Sequence, residues 1–329
     1  MLRYRYTCIV GTIYALLVYL LYSSFKSIKA TRFFFADSIP GSIAQKIENA
    51  VVLNGWPNEK ELVKFRARTW LKYRPQIIFT KVFAQDHFGF SPALIGHSPY
   101  TLIEDGEGFY TYYKNSSYFA HTFDAKGIRS GIKQDIKLGP VYGKFIGRNK
   151  YCINRLVTSP SDLQSDLLVG KQYELINLKM LWEASTPEKK QLIFDIFGLS
   201  KLELEKLSNY KIIVLTQPFV ELNDITEEEL MAIYKNAIKS YDERNVIIKP
   251  HPSEDVSRYK KYFPNAYLMP SHIPMQLAIF AGLKVEIAIT IFSTAVSLLP
   301  NDTHIVWLGG QCHPKLERYG MNQCPYLSK

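Results

Sequence analysis

The sequence predicts an α/β protein of two domains, each built on a parallel sheet, and three observations carry that prediction. A chain of 329 residues exceeds what one ordinary core organises, since domains mostly hold about 100–150 residues. Apolar strand-like runs alternate with helical ones from the N-terminus, and the alternation starts afresh near residue 211, as repeated strand–helix units require. The chain is 47% hydrophobic and 21% charged, which excludes a disordered, collagen-like or coiled-coil protein.

The opening segment decides between two architectures. Residues 6–25 carry no charge, and that length suffices for a transmembrane helix. The stretch also divides into a strand (Tyr4 to Val10), a tight turn (Gly11-Thr12) and a helix (Ile13 to Phe25), with a second apolar strand, TRFFFA, from Thr31 to Ala36. Strand, glycine turn, helix and strand open a doubly wound domain, whose first elements are apolar because they are buried on both sides. Similar positive charge flanks both ends, so no membrane orientation is encoded. The buried reading is therefore preferred to the membrane span. No small-residue cleavage site follows, so the run is not a cleavable signal.

Helices are expected from Gly41 to Ala50 and Asn58 to Tyr73, and strands at Gln76 to Phe83 and Tyr100 to Ile103. An aromatic stretch from Phe109 to Tyr113 follows, and residues 139–155 read as loops and short strands. In the second half, strands are expected at Lys211 to Leu215, Asn245 to Ile248, Val285 to Thr290 and His304 to Leu308. Helices are expected at Ile225 to Tyr241, where three glutamates suit the positive end of the dipole, and at Asp255 to Phe263. The domains are placed at residues 1–155 and 156–329.

Charge is unevenly divided. Residues 1–155 hold 22 Lys and Arg against 10 Asp and Glu, whereas residues 156–329 hold 18 against 20. A basic first half fits an anionic surface or substrate. Nucleic acid is not the expected partner, because no helix-turn-helix, zinc or RNA-recognition signature accompanies the charge. Four widely spaced cysteines, Cys8, Cys152, Cys312 and Cys324, form neither a disulfide scaffold nor a metal motif, which favours a reducing compartment. The seven histidines are scattered, and no metal site is expected.

Four groups of residues can carry chemistry. Glu104-Asp105-Gly106 follows the apolar strand end, where open α/β sheets bind ligands, and a carboxylate there can take a proton from a hydroxyl; an acidic turn is the ordinary alternative. Lys249-Pro250-His251-Pro252 follows another strand, and two prolines fix the backbone so that imidazole and ammonium leave the strand end toward an anion; a rigid turn is the alternative. Ser293 and Thr294 stand before an apolar run, as N-caps do, and such a start also binds anions. Lys64, Arg66, Arg68, Lys72 and Arg74 interleave with Phe65, Trp70, Leu71 and Tyr73; a solvated basic face is preferred there to contact with anionic lipid.

The acid-acid-Gly, His-Pro and Ser-Thr motifs together resemble those of the bacterial sialyltransferases, and of glycosyltransferase family 52 in particular, the lipooligosaccharide and capsule sialyltransferases. The polysialyltransferase family is similar in the same triad. Leu215-Thr216-Gln217-Pro218-Phe219 and TRFFFADSIP extend the resemblance, which runs from about Tyr4 to Leu308.

That resemblance implies a GT-B architecture, two Rossmann-like domains facing across a cleft, with the acceptor on the first and the CMP-sugar on the second. It implies inverting transfer of sialic acid from CMP-sialic acid to a glycan hydroxyl of a lipooligosaccharide or capsular polysaccharide, without metal or other cofactor. Glu104 or Asp105 would be the general base, with Glu221 and Asp224 as further acids to consider. His251 would be general acid or hydrogen-bond donor to the departing phosphate, with Lys249, Pro252, Ser293 and Thr294 binding CMP. It further implies a cytoplasmic protein, peripheral at the inner face of the plasma membrane against anionic lipid, with a lipid-linked acceptor and a capacity to form homodimers. The competing expectations are another CMP-sugar donor, or a non-catalytic sugar- or membrane-surface-binding protein of the same fold.

Overall fold

The computed structural model describes residues 4–106, 145–165, 168–207 and 209–325. The chain divides into two compact units, Met1–Ile196 and Phe197–Lys329. The boundary expected at 155/156 falls inside a strand of the first sheet, Cys152–Val157, because a strand hydrogen-bonded to its neighbours cannot be divided between two cores. The aromatic stretch 109–113 and residues 139–144 lie outside the described residues.

In the first unit the elements run β1 (Tyr6–Val10), α1 (Ile13–Tyr22), α2 (Phe25–Lys29), β2 (Thr31–Ala36), α3 (Gly41–Ala44), β3 (Ala50–Leu53), α4 (Glu59–Ile77), β4 (Lys81–Ala84), α5 (Ser91–Ile95) and β5 (Tyr100–Ile103). β6 (Cys152–Val157), β7 (Glu174–Leu175), α6 (Leu178–Glu183) and α7 (Pro187–Phe197) follow. Seven parallel strands lie in the order β3-β2-β1-β4-β5-β6-β7. The order reverses between β1 and β4, which creates a switch point at their carboxyl ends.

The uncharged N-terminal run is a strand and a buried helix. Thr12 caps α1 by accepting the Ala15 N–H at 3.2 Å, and Ala15 through Leu21 are all buried. Among the described residues no helix is long and apolar enough to cross a membrane. The expected single helix to Phe25 breaks at Ser23-Ser24, where Ser24 caps a second short helix. The helix expected over 41–50 stops at Ala44, and its last residue, Ala50, opens β3 ahead of the β-branched Val51 and Val52. α4, capped by the Asn58 side chain, continues through Pro75 to Ile77, which moves the following strand to Lys81; a proline in a last turn forfeits one backbone bond without ending the helix.

The second unit contains α8 (Lys201–Leu207), β8 (Ile212–Leu215), α9 (Glu227–Ile238), β9 (Val246–Lys249), α10 (Ser257–Tyr262), β10 (Tyr267–Leu268), α11 (Met275–Phe280), β11 (Ile287–Thr290) and β12 (His304–Trp307). Its five parallel strands are ordered β10-β9-β8-β11-β12, reversing between β8 and β11. α9 starts in a full capping box, with Thr226 and Glu229 bonding each other's backbone, so the three glutamates mark its start as expected. β8 and β9 are buried along their whole length, packing with Leu230, Met231 and Tyr234 of α9 in one core cluster. β10 and α11 were not expected from the sequence; two residues of strand and six of helix leave little periodicity to read.

Candidate active site

Each unit presents candidate functional side chains at the carboxyl edge of its own sheet. In the first, β1, β4, β5 and β6 deliver Gly11, Gln85, Glu104-Asp105 and Thr158 to that edge. Gln85 ties them together. Its Oε1 accepts the Gly11 N–H at 2.6 Å and the Thr12 N–H at 3.3 Å, while its Nε2 donates to Thr12 Oγ1 and to Asp105 Oδ1. The backbone at Gly11 has no room for a side chain: a Cβ there would stand 2.0 Å from the Phe88 ring.

The adjacent carboxylates occupy different environments. Glu104 is fully buried; its Oε1 accepts the Thr158 N–H at 3.1 Å, the Thr158 hydroxyl, and the Tyr14 hydroxyl at 3.4 Å. Its Oε2 is buried without a partner among the described residues. Burial pushes its carboxyl up to about 8 against the opposing pull of the Thr158 hydroxyl, and Asp162 adds repulsion. Glu104 is therefore mostly protonated near neutral pH. Asp105 is partly exposed, with Oδ2 3.4 Å from His87 Nε2. Beside His87 lie Phe88, with ring centroids 4.5 Å apart, and Trp56 at 6.1 Å.

In the second sheet β9 and β11 flank β8, which sets their carboxyl ends about 9–10 Å apart. After β9 comes the Pro-His-Pro turn. His251 is exposed, its Nδ1 2.7 Å from Ser253 Oγ and accepting the Ser253 N–H at 3.3 Å. A backbone N–H can only donate, so Nδ1 is the acceptor and the proton of the neutral ring sits on Nε2. One edge of the ring meets solvent, but the atoms packed around the rest of it desolvate the imidazole, and this, with the Lys249 ammonium, holds it below its usual range, partly opposed by Glu221.

Lys249 does not leave the strand end with the imidazole. It is buried, and its Nζ donates to the Pro250 and Ser271 carbonyls at 2.9 Å each. The period-2 alternation of the strand turns it inward, and burial lowers its ammonium to about 7. Pro252 is exposed in the turn.

Glu254 was missed by sequence reasoning. It is buried, and its carboxylate accepts the His251 N–H at 2.6 Å, the Tyr259 hydroxyl at 2.6 Å and the Thr216 hydroxyl; the His251 carbonyl in turn accepts the Glu254 N–H at 3.1 Å. The Glu254 carboxylate reaching back to the backbone N–H three residues earlier is the acidic half of a capping box, while its own N–H closes a turn on the His251 carbonyl; an acid at that spacing after the histidine is the available signal. Glu221 and Asp224 are engaged structurally. Glu221 Oε1 accepts from Arg258 at 2.6 Å and from the Asp255 N–H at 2.9 Å, and Asp224 binds Arg318 and, at 2.5 Å, the Tyr319 hydroxyl.

Ser293 caps the turn after β11, as expected, by accepting the Ala295 N–H at 3.3 Å. The apolar run behind it is a five-residue 3-10 helix, Thr294–Leu298, so hydroxyls and local N–H groups, with little help from a dipole, are what it offers an anion. The Gln217 side chain fixes this loop by accepting the Phe292 N–H at 2.8 Å.

Against known proteins, the first comparison is with an uncharacterized protein of Haemophilus influenzae, 27% identical over 246 residues, 75% of this chain and 74% of that protein. The GT-B domain of a Photobacterium damselae sialyltransferase superimposes with a TM-score of 0.55 at 14% identity, covering 91% of this chain and 89% of that one. A 2,6-sialyltransferase of Photobacterium sp. JT-ISH-224, in complex with CMP and lactose, gives 0.56 at 12% identity over 92% and 71%. At these identities the two structures establish the shared fold: two parallel-sheet α/β units of GT-B type. The sequence profile of glycosyltransferase family 52 matches residues 39–307, a span that includes all three motifs. The chain belongs to glycosyltransferase family 52.

Proposed function

We propose that this glycosyltransferase is an inverting sialyltransferase that moves sialic acid from CMP-sialic acid to a hydroxyl of a lipooligosaccharide or capsular glycan. The observation that carries the proposal is the state of His251: an exposed imidazole whose neutral form carries its proton on Nε2, supported from behind by Ser253 and Glu254. Such a donor suits a leaving phosphate, whose charge grows as the bond to the sugar breaks.

In this reading Asp105, not Glu104, is the base. A group that takes a hydroxyl proton must be ionised and reachable; Asp105 is partly exposed, whereas Glu104 is buried and held near pH 8. The Asp105 carboxylate takes the acceptor proton as the acceptor oxygen bonds to the anomeric carbon. The bond from that carbon to the phosphate oxygen breaks on the opposite face, and its electron pair leaves on CMP. His251 Nε2–H donates to the departing phosphate, Ser293 and Thr294 offer hydroxyls to it, and Pro252 holds the turn. Lys249 acts indirectly, tying the turn to the Ser271 carbonyl. Glu104 holds Thr158 and Tyr14 in place.

Two findings support the reading from outside the site: the family membership, and the CMP and lactose bound by a protein of the same fold. The test is CMP release from CMP-sialic acid with a lactose-type acceptor, in EDTA. Acceptor-dependent release that collapses in His251→Ala is expected. Absence of both CMP release and CMP binding in the unaltered protein would refute the donor assignment.

A further inference from the structure

We propose that the exposed indole of Trp56 is the platform on which the acceptor sugar lies, and that this sugar is a neutral hexopyranose rather than an anionic one. The proposal rests on the reading of Asp105 as the base and names the substrate class taken at that site.

Trp56 stands in the turn Asn54-Gly55-Trp56-Pro57 after β3, at the same sheet edge as Asp105. The turn is fixed by its neighbours. The Gly55 N–H donates to Asp37 Oδ1 at 3.0 Å, the Trp56 N–H to Asn54 Oδ1 at 2.9 Å, and the Gly89 N–H to the Gly55 carbonyl at 2.8 Å. A Cβ at Gly89 would stand 2.5 Å from Pro57 Cδ, so the turns after β3 and β4 are pressed together. The indole meets the Phe88 ring with centroids 5.6 Å apart and the His87 ring at 6.1 Å, tilted by 31°. His87 is itself buried and brings Nε2 to 3.4 Å from Asp105 Oδ2. One imidazole therefore joins the indole to the base. Trp56 nevertheless keeps 61% of its surface exposed.

A tryptophan held in place yet left in water beside a reachable carboxylate is positioned for a ligand. One face of a hexopyranose is a set of C–H bonds that gains by leaving water for an aromatic ring, while its hydroxyls stay at the rim to meet polar groups. The charge at this edge selects among sugars. The described turns after β1 to β5, residues 11–12, 37–40, 54–58, 85–90 and 104–106, contain Asp37, Asp86, Glu104 and Asp105 and no Lys or Arg. Asp86 is used internally, accepting the Ile146 and Gly147 N–H groups at 2.8 Å each and the Tyr100 hydroxyl at 2.6 Å. Asp37 and Asp105 remain in reach of solvent. Arg66, which approaches the turn after β4 from α4, is buried with its Nε donating to the Gly89 carbonyl at 2.7 Å. Carboxylates set in such an edge accept hydroxyl hydrogen bonds and repel a carboxylate or phosphate carried on the acceptor ring.

The test compares lactose with sialyllactose, whose terminal ring is anionic, as acceptors for the full chain. The unaltered protein is expected to favour lactose by about tenfold or more in kcat/KM. Trp56→Ala is expected to raise the KM for lactose by about tenfold, with kcat within about threefold and the KM for CMP-sialic acid and the melting temperature unchanged. Trp56→Phe should recover most of the loss. Saturation-transfer NMR of lactose in the presence of CMP reads the same contact without turnover: transfer to the ring C–H protons is expected, and its loss in Trp56→Ala. An unchanged KM in Trp56→Ala, or sialyllactose as good an acceptor as lactose, overturns the proposal and leaves the sialyltransferase reading standing. Saturation transfer that is lost in Trp56→Ala, with no sialyl transfer by the unaltered protein, does the reverse. Neither signal in the unaltered protein overturns both.

Discussion

Replacing Glu104 by glutamine separates charge from shape at the first acidic edge. The amide keeps the oxygen that accepts from Thr158 and Tyr14. It places an NH2 where Oε2 is buried without a partner among the described residues, a cost of about 1–3 kcal/mol. The carboxyl it removes titrates near 8 in the fold against an ordinary 4.5. An acid raised in the fold stabilises it fully only below its unfolded value, and that stability is lost as pH climbs from there through the folded value, because over that range the native state holds a proton the unfolded state has released. The loss between pH 4.5 and 8 amounts to about 5 kcal/mol at most, and local relaxation or water entry reduces it. The two effects cross. Glu104→Gln should be slightly less stable than the unaltered protein at pH 5 and more stable, by about 2 kcal/mol, at pH 8.5. Urea denaturation followed by tryptophan fluorescence at the two pH values reads the crossing. CMP release should survive the substitution, because the proposed proton acceptor is Asp105. Parallel pH dependence in the two proteins, or a loss of turnover of about a hundredfold or more with the fold intact, would refute the assignment of Glu104 as a neutral scaffold acid.

Other consequences are equally direct. Glu254→Ala leaves the His251 N–H and the Tyr259 and Thr216 hydroxyls without their acceptor; a loss of about 3 kcal/mol in denaturation is expected, with Glu254→Gln losing less. Ser253→Ala frees His251 Nδ1 from its hydroxyl partner and should lower turnover about three- to tenfold with the melting temperature unchanged, an effect that Ser253→Thr largely restores. Gly11→Ala drives a methyl into the Phe88 ring and should cost about 1–3 kcal/mol, read as a lower melting temperature together with a raised KM for the acceptor.

What the sequence reveals follows the range over which each interaction acts. The β1–α1–β2 opening is legible because all three elements are buried, so a run of apolar residues without charge is its direct imprint. The His-Pro and Ser-Thr motifs are legible because strand, turn and cap lie within a few residues of one another. Gln85, Tyr14 and Thr158 leave no local mark. They matter because β1, β4, β5 and β6, far apart in sequence, end at one edge of a sheet. α4 misleads for the same reason: the carbonyl of Gly89 and the hydroxyl of Ser98 that draw two of its arginines inward lie 23 and 24 residues away. Lys249 likewise reads as an outward cation until the Ser271 carbonyl is seen to receive it.

The most direct test of the central claim is the identity of the product. A lactose-type acceptor incubated with the protein, CMP-sialic acid and EDTA would be followed by mass spectrometry, with CMP measured in the same tube. An acceptor heavier by one sialyl residue for each CMP released is expected, with both signals lost in Asp105→Asn and in His251→Ala and retained in Glu104→Gln. An acceptor of unchanged mass with CMP-sialic acid, alongside a mass gain with a different CMP-sugar, would contradict it.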